Sequence, residues 1–291
     1  MKKKVLFDCD NTMGVPNRDV DDGLALLYLL GCPDIELLGV TTTFGNSTID
    51  IVNQATSTFF DDFNLLDLPL LKGAKSKEQR NSNAALFLTE MVSTYPGEIT
   101  ILATGSLSNL YQAYQLDSQF FKKINQVVLM GGIVEPLVIN GKGLDELNFA
   151  SDPVAAYTVL SSEAKVTTMT GNICLQAHFG KSELKKIRDE SYFSTYTYLI
   201  DKLLPWFRYM EEQFNLEGFY NWDTTAAVYV SHPQLFHDNL CFIESEVDDL
   251  KKGLLKKSSI PDDGYSVNIP NEIIDVSLFN QVVFDAWRRV D

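Results

Sequence analysis

Four aspartates near the N-terminus, Asp8, Asp10, Asp21 and Asp22, have the type and spacing to hold a divalent cation. Asp8-Cys9-Asp10 ends the apolar stretch Val5 to Phe7, and Asp21-Asp22 directly precedes the apolar run Leu24 to Leu30. The pattern reads as a buried strand, an acidic loop and a helix. The carboxylates then converge at the carboxyl end of a strand, where open α/β sheets hold their ligands. Like charges this close repel unless neutralised, and a divalent cation neutralises them directly. Capping of the helix, favoured by its dipole, accounts for Asp21 and Asp22 but leaves Asp8 and Asp10 unexplained.

Positioning such a cluster takes a sheet whose strands end at one edge. Strand-like runs alternate with helix-like runs over the first 170 residues or so: strands at 5–7, 35–42, 99–103, 127–130 and 166–169, helices at 24–30, 48–60 and 107–116. Asp152-Pro153 opens another helix, with Pro in its favoured first-turn place. Alternation of this kind predicts an α/β fold, a mostly parallel open sheet with helices on both faces. Neither repeats nor a low-complexity linker interrupt it, so a single domain over residues 1–291 is expected. In the second half, 191–214 reads as a long aromatic-rich helix kinked at Pro205. Residues 246–272 mix charge, Gly and Pro and read as surface excursions, and 273–289 as a final strand and helix.

Composition narrows the functional classes. The 291 residues are 45% hydrophobic, enough for a substantial core, and carry 24 Lys and Arg against 39 Asp and Glu, a formal net charge of -15. That balance opposes binding a nucleic acid polymer, which wants clustered cations, and leaves a neutral small molecule open. Cys9, Cys32, Cys174 and Cys241 have no CxxC spacing and read as reduced, buried thiols. The apolar run after Lys2–Lys4 is too short for a signal peptide, and no stretch approaches a membrane span. A soluble cytoplasmic protein with no membrane partner is expected.

Each predicted strand is followed by short polar groups: Asp8 and Asp10, then Phe44-Gly45-Asn46, then Thr104, then Met130-Gly131-Gly132. Glu146-Leu147-Asn148 and Asn221-Trp222-Asp223 come later. A lone Asn after a strand is a turn residue and a lone Asp before a helix is a cap; the order and spacing together are the signal. In that order the chain resembles the inosine–uridine preferring nucleoside hydrolases. Asp8, Asp10, Asp21 and Asp22 stand in the family's D-x-D-P-G-x-D-D, VTTTFGN in its V-T-T-x-x-G-N, and Thr104 to Asn109 in its T-G-x-L-T-N. VVLMGG matches V-V-x-M-G-G, Asp145 to Asn148 followed by Asp152-Pro153 matches A-E-x-N with D-P, and Asp223 is the late Asp before an Ala-rich helix. The resemblance covers residues 4 to about 235.

The resemblance implies hydrolysis of the N-glycosidic bond of ribonucleosides to base and ribose. It implies one Ca2+ per subunit held by Asp10, Asp22, Asp223 and the backbone carbonyl of Thr104, a hard all-oxygen set. Asp10 is the implied general base. Asp21, Asn46 and Asn148 are implied to hold the ribose hydroxyls, Glu146 the 5-hydroxyl, with Met130 and Asn140 also at the substrate. A homodimer or homotetramer follows from the same likeness. Two departures stand out. Ten residues, 11–20, separate Asp10 from Asp21 where the family motif has three, so an enlarged loop lies beside the site. The residue before the late Asp, often His, is Trp222, and its segment resembles the purine-preferring branch, where a Trp stacks on the base and assists its departure.

His178, His232 and His237 do not fall on the family's acid positions; His232 in Ser-His-Pro reads as a turn residue, and His178 could reach the rim. Two rival readings remain. LFDCDNT also fits the D-x-D-x-T motif of haloacid-dehalogenase-like phosphatases, with Asp8 as nucleophile, Asp10 as acid/base and Mg2+ as metal. Asp248-Asp249 and Asp262-Asp263 are in hydrophilic segments and do not supply that family's later acidic loop, and Asp21-Asp22 would be idle. The other rival is a nucleoside-binding protein without turnover.

Overall fold

A computed structural model describes residues 2–260 and 264–290; Asp262 and Asp263 lie outside the described residues. The chain starts β1 (Lys3–Cys9), α1 (Asp21–Gly31), β2 (Ile35–Thr42), α2 (Ile49–Asp62), β3 (Leu70–Lys72), α3 (Asn83–Thr94), β4 (Ile99–Ala103), α4 (Ser108–Leu116) and β5 (Gln126–Met130). A hairpin of β6 (Leu137–Ile139) and β7 (Lys142–Leu144) follows, then α5 (Asn148–Ser151), α6 (Pro153–Leu160), β8 (Val166–Met169), α7 (Gly171–Cys174) and β9 (His178–Phe179). The remainder is α8 (Lys181–Asp189), α9 (Ser194–Phe214), β10 (Phe219–Tyr220), α10 (Trp222–Ser231), β11 (Phe236–His237) and β12 (Leu240–Ile243). It ends with α11 (Val247–Leu250), β13 (Tyr265–Asn268), β14 (Glu272–Ile273) and α12 (Val276–Arg288).

Eight strands form the central sheet in the order β12-β13-β8-β5-β4-β1-β2-β3. All neighbours are parallel except the edge pair β12–β13. The chain winds outward from β1 through β2 to β3, then returns to the other side of β1 with β4. The carboxyl ends of β1 and β4 therefore flank a topological switch point, where a crevice opens in such sheets. Strand alternation splits the core into two layers. Val5 and Phe7 pack with α1, α9, α10 and α12 on one face. Leu6 packs with α3, α4 and α6 on the other. Trp287 anchors α12 to α1 by donating from Nε1 to the Leu24 carbonyl at 3.1 Å.

The α/β expectation is met, with one correction in the second half. Tyr265–Asn268, within the segment read as surface excursions, is β13 and lies inside the central sheet, parallel to β8. Its polar sequence hid it: Val267 is the one aliphatic residue of the strand, and pairing with β12 and β8 supplies the rest. Among the described residues no helix is long and apolar enough to cross a membrane.

Candidate active site

The switch point is lined by acids. Asp10 follows β1 and is fully buried. One carboxylate oxygen accepts the backbone N–H of Asn46 at 2.6 Å and the other its side-chain amide at 3.2 Å. Gly45 and Gly105 wall it in: a Cβ on Gly45 would stand 1.9 Å from Asp10 Oδ2, and one on Gly105 3.0 Å from Asp10 Cγ. The glycines of the two strand-end motifs are thus required by the close approach of backbone to this carboxylate. Asp22 accepts from Thr104 Oγ1 at 2.7 Å, and its second oxygen is buried without a partner.

Asp21 and Asp22 are in the first turn of α1, and Asp223 in the first turn of α10. Both helix N-termini carry favourable dipoles for anions, but neither aspartate of α1 is the cap, a place held by Val20 without a side-chain bond. The capping explanation therefore fails. The ligand atoms of Asp21, Asp22 and Asp223 lie within 4.8 Å of one another, a group able to hold a metal ion. Asp22 and Asp223 belong to the implied calcium set; Asp21 stands third in this group, while the Asp10 carboxyl is near enough to raise Asp22 by its charge. Burial first, then neighbouring carboxylates, pushes Asp10 and Asp21 up to about 7, and Asp22 and Asp223 well above the usual carboxylate range. Among the described residues no Lys or Arg forms an ion pair with any of them. Buried carboxylates with an orphaned oxygen, all-oxygen donors and no cationic side chain fit a hard divalent ion.

A cavity of about 430 Å³ opens beside the acids, a size suited to a small organic ligand. Asp19, Asp21, Asn46, Thr104, Asn148 and Asp223 form its polar wall; Leu137, Leu144, Leu147, Met130 and Trp222 supply apolar surface. Asn148, opening α5, donates its amide to the carbonyls of Thr104 at 2.9 Å and Met130 at 3.0 Å, so its own carbonyl is left for a ligand. Glu146 also lines the cavity, with its carboxylate held by backbone N–H groups of Gly132, Phe149 and Ala150 at 2.9 to 3.1 Å. Trp222 is 9% exposed and tilts against Tyr220 at 5.4 Å between ring centroids.

The structure brings Asp10, Asp21, Asp22, Asn46, Thr104, Met130, Glu146, Asn148, Trp222 and Asp223 to one crevice. Two residues do not join them. Asn140 sits exposed at the turn between β6 and β7 and spends its amide on the carbonyls of Phe214 and Asn215, away from the cavity. Asp8, read as part of the acidic cluster, is a scaffold residue: fully buried, it accepts from Thr41 at 2.5 Å and Asn109 at 2.7 Å. Burial pushes it up to about 7. His178 packs on Tyr220 at 5.4 Å and is not part of the cavity lining. His232 caps the end of α10 beside Tyr28, and His237 is exposed near Glu272.

Asp19 was missed. The run Asp19-Val20-Asp21-Asp22 held the signal, three acids in four positions, but Asp19 reads as the end of the enlarged loop. Residues 5–280 match the family described as inosine-uridine preferring nucleoside hydrolase. A uridine nucleosidase of Arabidopsis thaliana is 28% identical over 263 residues, covering 80% of this chain and 75% of the relative. A solved plant nucleoside hydrolase superposes with a TM-score of 0.86 at 22% identity, over 99% of both chains. A purine-preferring ribonucleoside hydrolase from Gardnerella vaginalis superposes with a TM-score of 0.84 at 22% identity, again over 99% of both.

Proposed function

We propose, for a chain that belongs to the inosine–uridine preferring nucleoside hydrolase family, that it is a calcium-dependent enzyme favouring purine ribonucleosides. Family membership makes it an N-glycosidase that splits ribonucleosides into base and ribose. The observation that carries the finer reading is the set of buried, unneutralised carboxylates sharing one cavity with Trp222. Asp22, Asp223, Asp10 and the Thr104 carbonyl are the calcium donors in this reading, with Asp21 close enough to share the ion. When bound, the cation supplies Lewis acidity and a grip on vicinal hydroxyls.

The remaining chemistry belongs to the chain's own side chains. Cleavage of an N-glycosidic bond develops oxocarbenium character on the sugar, which needs a nucleophilic water on one side and a departing base on the other. Asp10, fixed by Asn46 and two glycines, takes the proton of that water. A base poised near neutral pH suits the task, and burial moves Asp10 in that direction. Asp21, Asn46 and Asn148 hold ribose hydroxyls and Glu146 meets the 5-hydroxyl, which fixes a near-attack geometry. Trp222 stacks on the base against the leucine wall. The four cysteines, all free and buried, suit the reducing cytoplasm.

Steady-state release of ribose from inosine, adenosine, guanosine, uridine and cytidine, with calcium and after chelation, tests this. Purine nucleosides should be cleaved fastest, and only with the cation restored. Uridine as best substrate overturns the purine preference, undiminished turnover in chelator overturns the metal, and tight nucleoside binding with no ribose released leaves a binding protein.

A further inference from the structure

Asp19 lines the cavity from a loop that is longer than the family motif. Residues 11–19 leave the site and come back to it. Asn11 Oδ1 accepts the N–H of Met13 at 3.0 Å, and Val15 and Arg18 donate to the carbonyls of Thr12 and Val15 at 2.9 and 3.2 Å, giving successive turns. The base of the excursion is pinched by Thr12 Oγ1, which donates to the Asp19 carbonyl at 3.0 Å. Met13 seals it against α1, where a Cβ on Gly23 would lie 2.5 Å from the Met13 methyl. The tip is exposed, but Asp19 returns half-buried to the cavity wall.

One oxygen of Asp19 accepts the N–H of Val20 at 2.7 Å, and its side chain lines the same cavity wall as Asp21. Among the described residues no Lys or Arg pairs with it. Two carboxylates side by side are acceptors without donors of their own. The ligand that suits them brings O–H groups and no negative charge. A phosphate or a carboxylate is repelled there, whereas a furanose ring offers adjacent hydroxyls.

We propose that Asp19 is a specificity-determining residue of the site, accepting a hydrogen bond from a secondary hydroxyl of the sugar beside Asp21, and that the enlarged loop exists in the site to deliver it. The proposal rests on the nucleoside hydrolase reading for the identity of the sugar. It separates two neighbouring jobs: Asp22 and Asp223 face the cation and Asp19 the ring, with Asp21 between them.

The test compares wild type with Asp19→Ala and Asp19→Asn on inosine, 2-deoxyinosine and 3-deoxyinosine. It adds calorimetric titrations of calcium alone and of D-ribose and 2-deoxy-D-ribose in the presence of calcium. Loss of a hydrogen bond to a charged acceptor should lower kcat/KM of Asp19→Ala on inosine roughly tenfold to a hundredfold. On the analogue lacking the hydroxyl that Asp19 holds, the loss should be less than about threefold. Calcium affinity should stay within about threefold, and Asp19→Asn, which keeps an acceptor oxygen, should fall in between. An equal loss on all three nucleosides, or a calcium affinity that falls as far as kcat/KM, overturns the proposal and returns Asp19 to the scaffold or the cation. A wild type that releases no ribose refutes the enzyme reading instead. The ribose titrations then decide on Asp19 alone: weaker ribose binding in Asp19→Ala supports the contact, and unchanged binding removes it.

Discussion

Asp152 and Asp22 are equally hidden from solvent, 0% and 1% exposed, in surroundings that differ in kind. Asp152 is saturated. It takes two bonds of 2.7 Å from the Arg80 guanidinium, one of 2.6 Å from Ser108 and one from the N–H of Ala155 at the start of α6. Arg80 in turn lies over the ring of Tyr111 at 4.6 Å. Asp22 has one hydroxyl donor, an orphaned oxygen and more carboxylates for neighbours. A buried charge is ordinarily paired, as at Asp152. A region that leaves several carboxylates crowded and unpaired sets aside stability for something that arrives later; Asp8, which also has a buried oxygen without a partner, differs in that Thr41 and Asn109 both hold its other oxygen.

The largest effect should come from breaking each region by its centre. Asp10→Ala removes the proposed base and should lower kcat roughly 10²–10⁴-fold or more. Asp152→Asn strands the Arg80 guanidinium and should cost about 2–3 kcal/mol of stability, the low end for a broken pair because Arg80 is partly exposed. Its kcat per folded molecule should stay within about twofold. Kinetics with urea unfolding on the two variants checks both halves. Wild-type-like turnover in Asp10→Ala, or unchanged unfolding in Asp152→Asn, breaks the contrast.

Removing the cation sharpens it next. Asp10 and Asp21 are raised in the folded protein to about 7, against about 3.9 in an unfolded chain. The folded state therefore binds more protons between those values, and the stability contributed by these groups, fully present below about pH 4, is lost as pH rises toward 7. In chelator, the melting temperature should fall from pH 5 to pH 8, and added calcium should restore more at pH 8 than at pH 5. The fall should be smaller in Asp22→Asn. A chelated protein that is no less stable at pH 8 would show that the acids are already neutralised from within.

The smallest effect is expected at Trp222. Base–aromatic stacking is worth roughly 1–3 kcal/mol, so Trp222→Ala should slow inosine cleavage by about tenfold, and nitrophenyl riboside, whose leaving group needs no acid, by less. Equal losses on both would make Trp222 a packing residue.

Legibility from the sequence followed the strands. Asp10, Asn46 and Thr104 were readable because a strand end is a fixed address at which a polar residue stands out. Asp8 was misplaced because its neighbours Thr41 and Asn109 come from other elements, and only the assembled sheet shows them taking its carboxylate inward. Asp19 was hidden because its return depends on a single hydroxyl, that of Thr12, closing a loop whose path no periodicity encodes. β13 was lost for a related reason: a strand held on both sides by neighbours needs little apolar pattern of its own. Asn140 came only from the family likeness, in a segment where the chain builds its own hairpin.

The acids reach the crevice from opposite ends of the polypeptide. Asp22 rides on α1 and Asp223 on α10, about two hundred residues apart in the chain, so bringing them together is a contact of very long sequence separation. A chain emerging from the ribosome carries Asp10, Asp19, Asp21 and Asp22 for most of its synthesis with no Asp223 to complete the cage. The acidic centre is consequently completed only once α10 has docked against α1, after the first five parallel strands of the sheet have been made.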